Sequence, residues 1–180
     1  MLPIFIFFLI QIPQLTQPRN FENYYEFAKF HGDLNGDSLM DQIVIYEKKC
    51  DPLSDILEND ANCRSVAIYL NRGHQLEMHS YNDWLVECSN CGGVGVGDPF
   101  RGIKIQYPYF SVEGLKGDCD KTFTVISFKF DSKNKDFYLH KVITENYDCH
   151  ENPTRNGEIK VKKQTTSKKQ FGMVRFSEYH

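Results

Sequence analysis

The chain reads as all-β: an antiparallel meander forming a small sandwich or propeller-like sheet. Three observations predict it. Apolar and polar residues alternate with period two in Ile103-Lys104-Ile105-Gln106-Tyr107 and in Phe123-Thr124-Val125-Ile126-Ser127-Phe128-Lys129-Phe130, the signature of a half-buried strand. Polar turn segments such as Asn71-Arg72-Gly73-His74 and Asp131–Asp136 separate the runs at short intervals, which favours hairpins between sequential strands. No long apolar stripe recurs at helical spacing, while 14 Phe and 10 Tyr supply the bulk for a β core.

Taken in order, the spacing predicts strands over Tyr25–Phe30, Gln42–Glu47, Ser65–Asn71, Gln75–Ser80, Ile103–Tyr107, Tyr109–Glu113, Phe123–Asp131, Phe137–Asn146, Glu158–Gln164 and Phe171–Glu178. Residues 1–17 form a separate segment. Its apolar run of about ten residues is too short to span a bilayer, which needs about twenty, and it reads as a signal peptide. Residues 18–180 then form a single β domain of ordinary size with no membrane span, in the periplasm or secreted.

The cysteines fit an exported chain. Cys50, Cys63, Cys88, Cys91, Cys119 and Cys149 are even in number and read as up to three disulfides. Cys50 and Cys63 flank the polar segment Asp51–Asn62, so they are expected to pair as a loop staple of about 3 kcal/mol. Cys88 and Cys91 are expected to pair with Cys119 and Cys149, in either order. The Cys88-Ser89-Asn90-Cys91 spacing also suits a thiol oxidoreductase or a zinc site, but no helix pattern follows it and no second CxxC is present.

The richest segment is Asp33-Leu34-Asn35-Gly36-Asp37-Ser38-Leu39-Met40-Asp41, which runs straight into Gln42-Ile43-Val44-Ile45-Tyr46. Calcium takes six to eight oxygen ligands at about 2.3–2.6 Å, and alternate residues of a turning loop can all point inward. Asp33, Asn35, Asp37 and Asp41 would supply side-chain oxygens and Leu39 a backbone carbonyl, holding a structural Ca2+. The EF-hand pattern wants glycine at the sixth position and glutamate at the twelfth. Those positions are Ser38 and Val44, so the loop is a shorter kind that closes on Asp41. The alternative is an ion-free Asn-Gly-Asp turn.

Residues 18–150 carry 14 Lys and Arg against 21 Asp and Glu, whereas residues 151–180 carry 7 against 3. An acidic body argues against nucleic acid as partner and for a basic protein partner. Lys160, Lys162 and Lys163 read as edge-strand lysines that block unwanted pairing. The six histidines are scattered, and no motif supports hydrolysis; the chain reads as a binding protein and not an enzyme.

Gly92-Gly93-Val94-Gly95-Val96-Gly97-Asp98-Pro99-Phe100 lacks the Gly-Lys-Ser/Thr ending of a phosphate loop. It reads instead as a surface loop that could carry recognition, with Gly93, Gly95, Gly97, Asp98 and Phe100 as candidate partner-binding residues. The acidic loop with Ile43-Val44-Ile45 comes first in the chain. Gly92-Gly93, Gly97-Asp98-Pro99-Phe100 and Gly102-Ile103 come next, followed by Phe128-Lys129-Phe130 and Phe137-Tyr138-Leu139. This arrangement resembles exported bacterial calcium-binding β-proteins related to periplasmic lysozyme inhibitors, some of which serve as immunity proteins against cell-wall-lytic effectors. The resemblance implies an inhibitor acting sterically on a lysozyme-like hydrolase. The Ser-Gly-x-x-Tyr loop of many lysozyme inhibitors is absent, and the six cysteines depart from the pattern. A calcium-dependent adhesion or envelope interaction module is the competing expectation.

Overall fold

The computed structural model describes residues 20–48, 63–73, 75–150 and 161–180. The expected signal segment, Cys50, the Asp51–Asn62 segment and the start of the Glu158–Gln164 strand lie outside the described residues.

Nine strands form two antiparallel sheets among the described residues. Strands β1 (Tyr24–Gly32), β2 (Asp41–Lys48), β3 (Arg64–Asn71) and β4 (Leu76–Asn82) make the first, in chain order. Strands β5 (Phe100–Gln106), β6 (Tyr109–Gly117), β7 (Lys121–Asp131), β8 (Asp136–Tyr147) and β9 (Val161–Ser167) make the second, again in chain order. The result is a small β-sandwich in which each sheet is a continuous stretch of sequence.

The period-two pattern sets which side chains meet. Ile43 and Ile45 of β2 and Val66, Ile68 and Leu70 of β3 face Ile103, Phe110, Val112, Phe128, Phe137 and Leu139 of the second sheet, and together they form the core. Phe110 stacks on Phe128 at 5.2 Å and meets Phe137 edge-on at 5.5 Å, the offset and T-shaped arrangements aromatic rings prefer. Along one side β1 approaches β5. A Cβ added to Gly32 would lie 2.7 Å from the Cγ2 of Ile105, so only glycine lets the two sheets come this close.

The segment predicted as a tenth strand, Phe171–Glu178, is not one. It holds the end of a single helical turn, α1 (Lys168–Phe171), then an isolated bridge from Arg175 to Tyr138, then a 3-10 turn over Phe176–Glu178. Its apolar residues read as a strand's, but Phe176, with Phe171 and Val174 packed against the core beside it, serves as a plug. Phe176 is fully buried and meets Phe110 and Phe128 edge-on at 5.8 and 5.4 Å. Asn82 at the end of β4 fastens this tail: its side-chain amide donates to the carbonyls of Phe176 and Tyr179, both at 2.7 Å. The Asn82 carbonyl oxygen accepts from the backbone N–H of Trp84 and Leu85. The tail also takes the Leu139 N–H onto the Val174 carbonyl.

Candidate functional site

The acidic loop joins β1 to β2. Leu34 is buried in the core and roots it, and each carboxylate closes part of its backbone. Asp33 accepts from the N–H of Gly36 and of Ser38, Asn35 Oδ1 from Asp37 N–H, and Asp37 Oδ1 from Leu39 N–H. The Asn35 amide donates to Asp37 Oδ2 at 2.9 Å. Asp41 has no exposed surface; it accepts from Leu34 N–H and from Asn71 N–H at the end of β3, each at 2.8 Å. Asp33, Asp37 and Asp41 each offer an oxygen within 4.8 Å of the others. Burial, with the like charges of Asp37 and Asp33, pushes the Asp41 carboxyl above the usual carboxylate range despite its two N–H donors. Three converging carboxylates, one of them buried and resisting ionisation, are a donor set suited to a divalent cation.

The sixth position of the loop does require the left-handed conformation: Ser38 sits at φ 66°, and Gly36 at 83°. A side chain at Gly36 would also lie 2.5 Å from the ring of Tyr107, in the turn between β5 and β6. The acidic loop of the first sheet thus rests against the second.

The glycine-rich loop runs from β4 to β5 and is held internally. Cys88 pairs with Cys91 (Cα–Cα 5.2 Å), and Cys119 pairs with Cys149 (5.5 Å). These pairings replace the expected cross-links of Cys88 and Cys91 to Cys119 and Cys149. The reasons are local. A tight turn with Cys91 N–H donating to the Cys88 carbonyl brings the first two together. Cys119 and Cys149 lie two residues beyond the paired ends Lys121 and Tyr147 of neighbouring strands β7 and β8. Cys63 is also disulfide-bonded; its expected partner Cys50 lies outside the described residues.

Beyond Cys91, Gly92 N–H donates to the Gly97 carbonyl and Gly117 N–H to that of Gly92. Asp118 accepts from Val94 N–H at 2.6 Å. Gly93 and Gly95 lie against the turn at Gly117 and Asp118, and Gly97 takes φ 68°. The remaining two candidates are turned inward. Asp98 receives both terminal nitrogens of Arg64, at 2.8 and 2.7 Å, and the N–H of Phe100. Phe100 packs between Phe27 and Phe30. What the loop presents outward is Val94, 99% exposed.

Three features beside this loop were not anticipated. Arg64 is buried at the head of β3, with its guanidinium 4.0 Å beneath the Phe27 ring and 3.3 Å from Glu47. Its signal is a cation at the head of the strand that runs into the apolar Val66–Leu70. Trp84, the lone tryptophan, is 60% exposed. It borders a cavity of about 290 Å³ shared with Val86, Pro99, Leu115, Thr124 and Tyr179. Trp84, the cavity and the root of the glycine loop therefore form one continuous surface. No helix among the described residues is long and apolar enough to cross a membrane. No protein family, curated protein or solved structure matches the chain.

Proposed function

We propose that the protein is an exported, calcium-stabilised binding protein, an inhibitor or immunity protein that sterically blocks a lysozyme-like cell-wall hydrolase. The observation that carries the reading is the glycine-rich loop, pinned by the Cys88–Cys91 disulfide and the Arg64–Asp98 pair, with the apolar tip Val94 fully exposed. A steric inhibitor gains affinity when its inserting segment is already ordered, because less conformational entropy is lost on binding. Val94 would enter the enzyme cleft and Trp84 would cover its edge. The net charge of −3 would attract a basic hydrolase at a rate that falls with salt.

Calcium has a structural part in this reading. Asp33, Asn35, Asp37, Asp41 and the Leu39 carbonyl would hold it, and its charge would offset the repulsion among the three carboxylates. The ion would stiffen the loop that rests on Tyr107 and so the junction of the two sheets.

The test is lysis of cell walls by a panel of lysozyme types and by lytic effectors, with and without the purified protein. The expected result is slowed lysis by at least one enzyme, with Val94→Glu and Trp84→Ala each weakening the effect. If no enzyme is slowed while the protein binds isolated envelopes in a calcium-dependent manner, it is an adhesion or envelope module instead.

A further inference from the structure

The outer face of the second sheet carries a row of hydrogen-bond donors that the reading above does not use. The register aligns Lys104 with Ser111, Ser111 with Ser127, and Ser127 with Lys141 across four adjacent strands. Neighbouring strands lie about 4.8 Å apart, so cation, hydroxyl, hydroxyl and cation follow one another within reach of a compact ligand. A cavity of about 240 Å³ opens over this row and is lined by all four residues and by His140.

Two observations mark the row as more than surface lysines. Ser127 is only 6% exposed, lines the cavity, and its hydroxyl has no hydrogen-bond partner among the described residues. Ser127 Oγ is not among the fully buried polar atoms without a partner, so it reaches the cavity and can donate to a ligand there. The second observation is a β-bulge. Phe128 pairs with Leu139 and Ser127 with Lys141, leaving His140 as an extra residue in β8. Bulges redirect a side chain out of the regular alternation. Here the imidazole lies over the Tyr109 ring at 4.8 Å, and neither of its nitrogens has a hydrogen-bond partner among the described residues.

The charge balance is positive. Lys104 is paired with Glu113 at 2.6 Å, but Lys129 and Lys141 have no carboxylate partner among the described residues. Burial, then the charges of Lys141 and Lys129, lower the pKa of His140. His140 also borders a second, larger cavity of about 540 Å³, walled by Tyr107, Pro108, Phe130, Tyr138 and Met173, and lined as well by Lys129, Lys168 and Asp131. The Asp131 carboxylate is engaged by the N–H groups of Lys133 and Asn134.

We propose that this face binds a phosphate ester. The phosphoryl oxygens are held by Lys141, Ser127, Ser111 and His140, and the organic group lies in the adjoining aromatic-walled cavity. A phosphoryl group suits the row because its three oxygens accept from several donors at once, and charge-assisted bonds of this kind are the strong ones. The aromatic walls suit the apolar face of a sugar ring.

The experiment is NMR titration of the folded full chain with inorganic phosphate, with glucose 1-phosphate and with glucose, following the His140 ring and the amides of Ser111, Ser127 and Lys141. The expected result is saturable binding of glucose 1-phosphate, weaker binding of inorganic phosphate, none of glucose, and a rise in the His140 pKa on binding. Lys141→Gln, which keeps the length of a partly buried side chain with no carboxylate partner among the described residues, should weaken binding about tenfold, and Ser127→Ala should weaken it as well. Failure of both phosphates to saturate, or equal affinity in Lys141→Gln, overturns the site. Inorganic phosphate binding as tightly as the ester overturns the role of the second cavity. All of these readouts are independent of hydrolase inhibition.

Discussion

Arg64 reaches across from β3 to grip Asp98 at the foot of the glycine-rich loop, its two terminal nitrogens lying 2.8 and 2.7 Å from the two carboxylate oxygens. The guanidinium has no exposed surface and meets a second carboxylate, Glu47, at 3.3 Å. Removing one partner of such a pair leaves a buried charge unmatched, at a cost of about 3–5 kcal/mol when both are fully buried. Asp98 retains partial exposure, so Asp98→Ala should cost less, about 2–3 kcal/mol, read from the urea midpoint. Hydrogen exchange at Val94 and Gly97 should quicken in the same variant, because the pair anchors the loop as well as the core. Unchanged exchange would show that the disulfide alone orders it.

The same carboxylate makes stability depend on acid. Burial pushes Asp98 and Asp136 up, but the hydrogen bonds from Arg64 and Phe100 N–H to Asp98 and from His79 and Phe137 N–H to Asp136, together with the neighbouring positive charges, outweigh it, and both titrate below the usual carboxylate range. A lowered pKa in the folded state contributes stability above the unfolded value of about 4, and that contribution is lost as pH falls through the folded value. Thermal melts should therefore show a falling melting temperature below about pH 4. Asp98→Asn should start lower and fall less steeply.

Ser38 holds a left-handed conformation that costs a non-glycine residue roughly 1 kcal/mol. Ser38→Gly should therefore raise stability by somewhat less than about 1 kcal/mol, the flexibility of glycine in the unfolded chain offsetting part of the gain. Gly36→Ala should do the opposite, since it meets both a positive φ and the Tyr107 ring. Paired melts of the two variants check the sign of each.

Calcium should raise the melting temperature, and a chelator should reverse the rise. Asp37→Ala should abolish the response while leaving the metal-free protein folded, because Asp37 is exposed and its loss relieves repulsion at Asp41. A melting temperature indifferent to calcium would sink the metal assignment and leave the loop as a turn closed by its own carboxylates.

The Cys119–Cys149 bridge closes a loop of sequence separation 30. On the chain-entropy account such a loop contributes about 3–4 kcal/mol. The double variant Cys119→Ser/Cys149→Ser should lose most of that in urea unfolding. Loss of Cys88–Cys91, with a separation of only 3, should loosen the loop more than it destabilises the fold.

The strands were legible wherever alternation decided burial. Nine of the ten expected runs meet observed strands, in the expected antiparallel order. The tenth failed because the apolar residues Phe171, Val174 and Phe176 suit an irregular plug as well as a short strand; only the space between finished sheets distinguishes the two. The convergence of Asp33, Asp37 and Asp41 was legible because they are close in sequence and alternate along one turning loop. The disulfide pairing and the Arg64–Asp98 grip were not legible, since each depends on which strand ends become neighbours after folding. The donor row over Ser127 was invisible for the same reason: its members come from four strands and share no motif.

The plug has a further meaning for how the molecule is made. Each sheet is a run of neighbouring hairpins that can form as its own stretch of chain appears, and such local pairings are the fast ones. Phe176, which fills the centre between the sheets, and the carbonyls that Asn82 clasps belong to residues 171–179. Until those residues emerge the two halves can assemble but cannot lock. A chain made N-terminus first would therefore leave its two sheets unlocked until residues 171–179 had joined them.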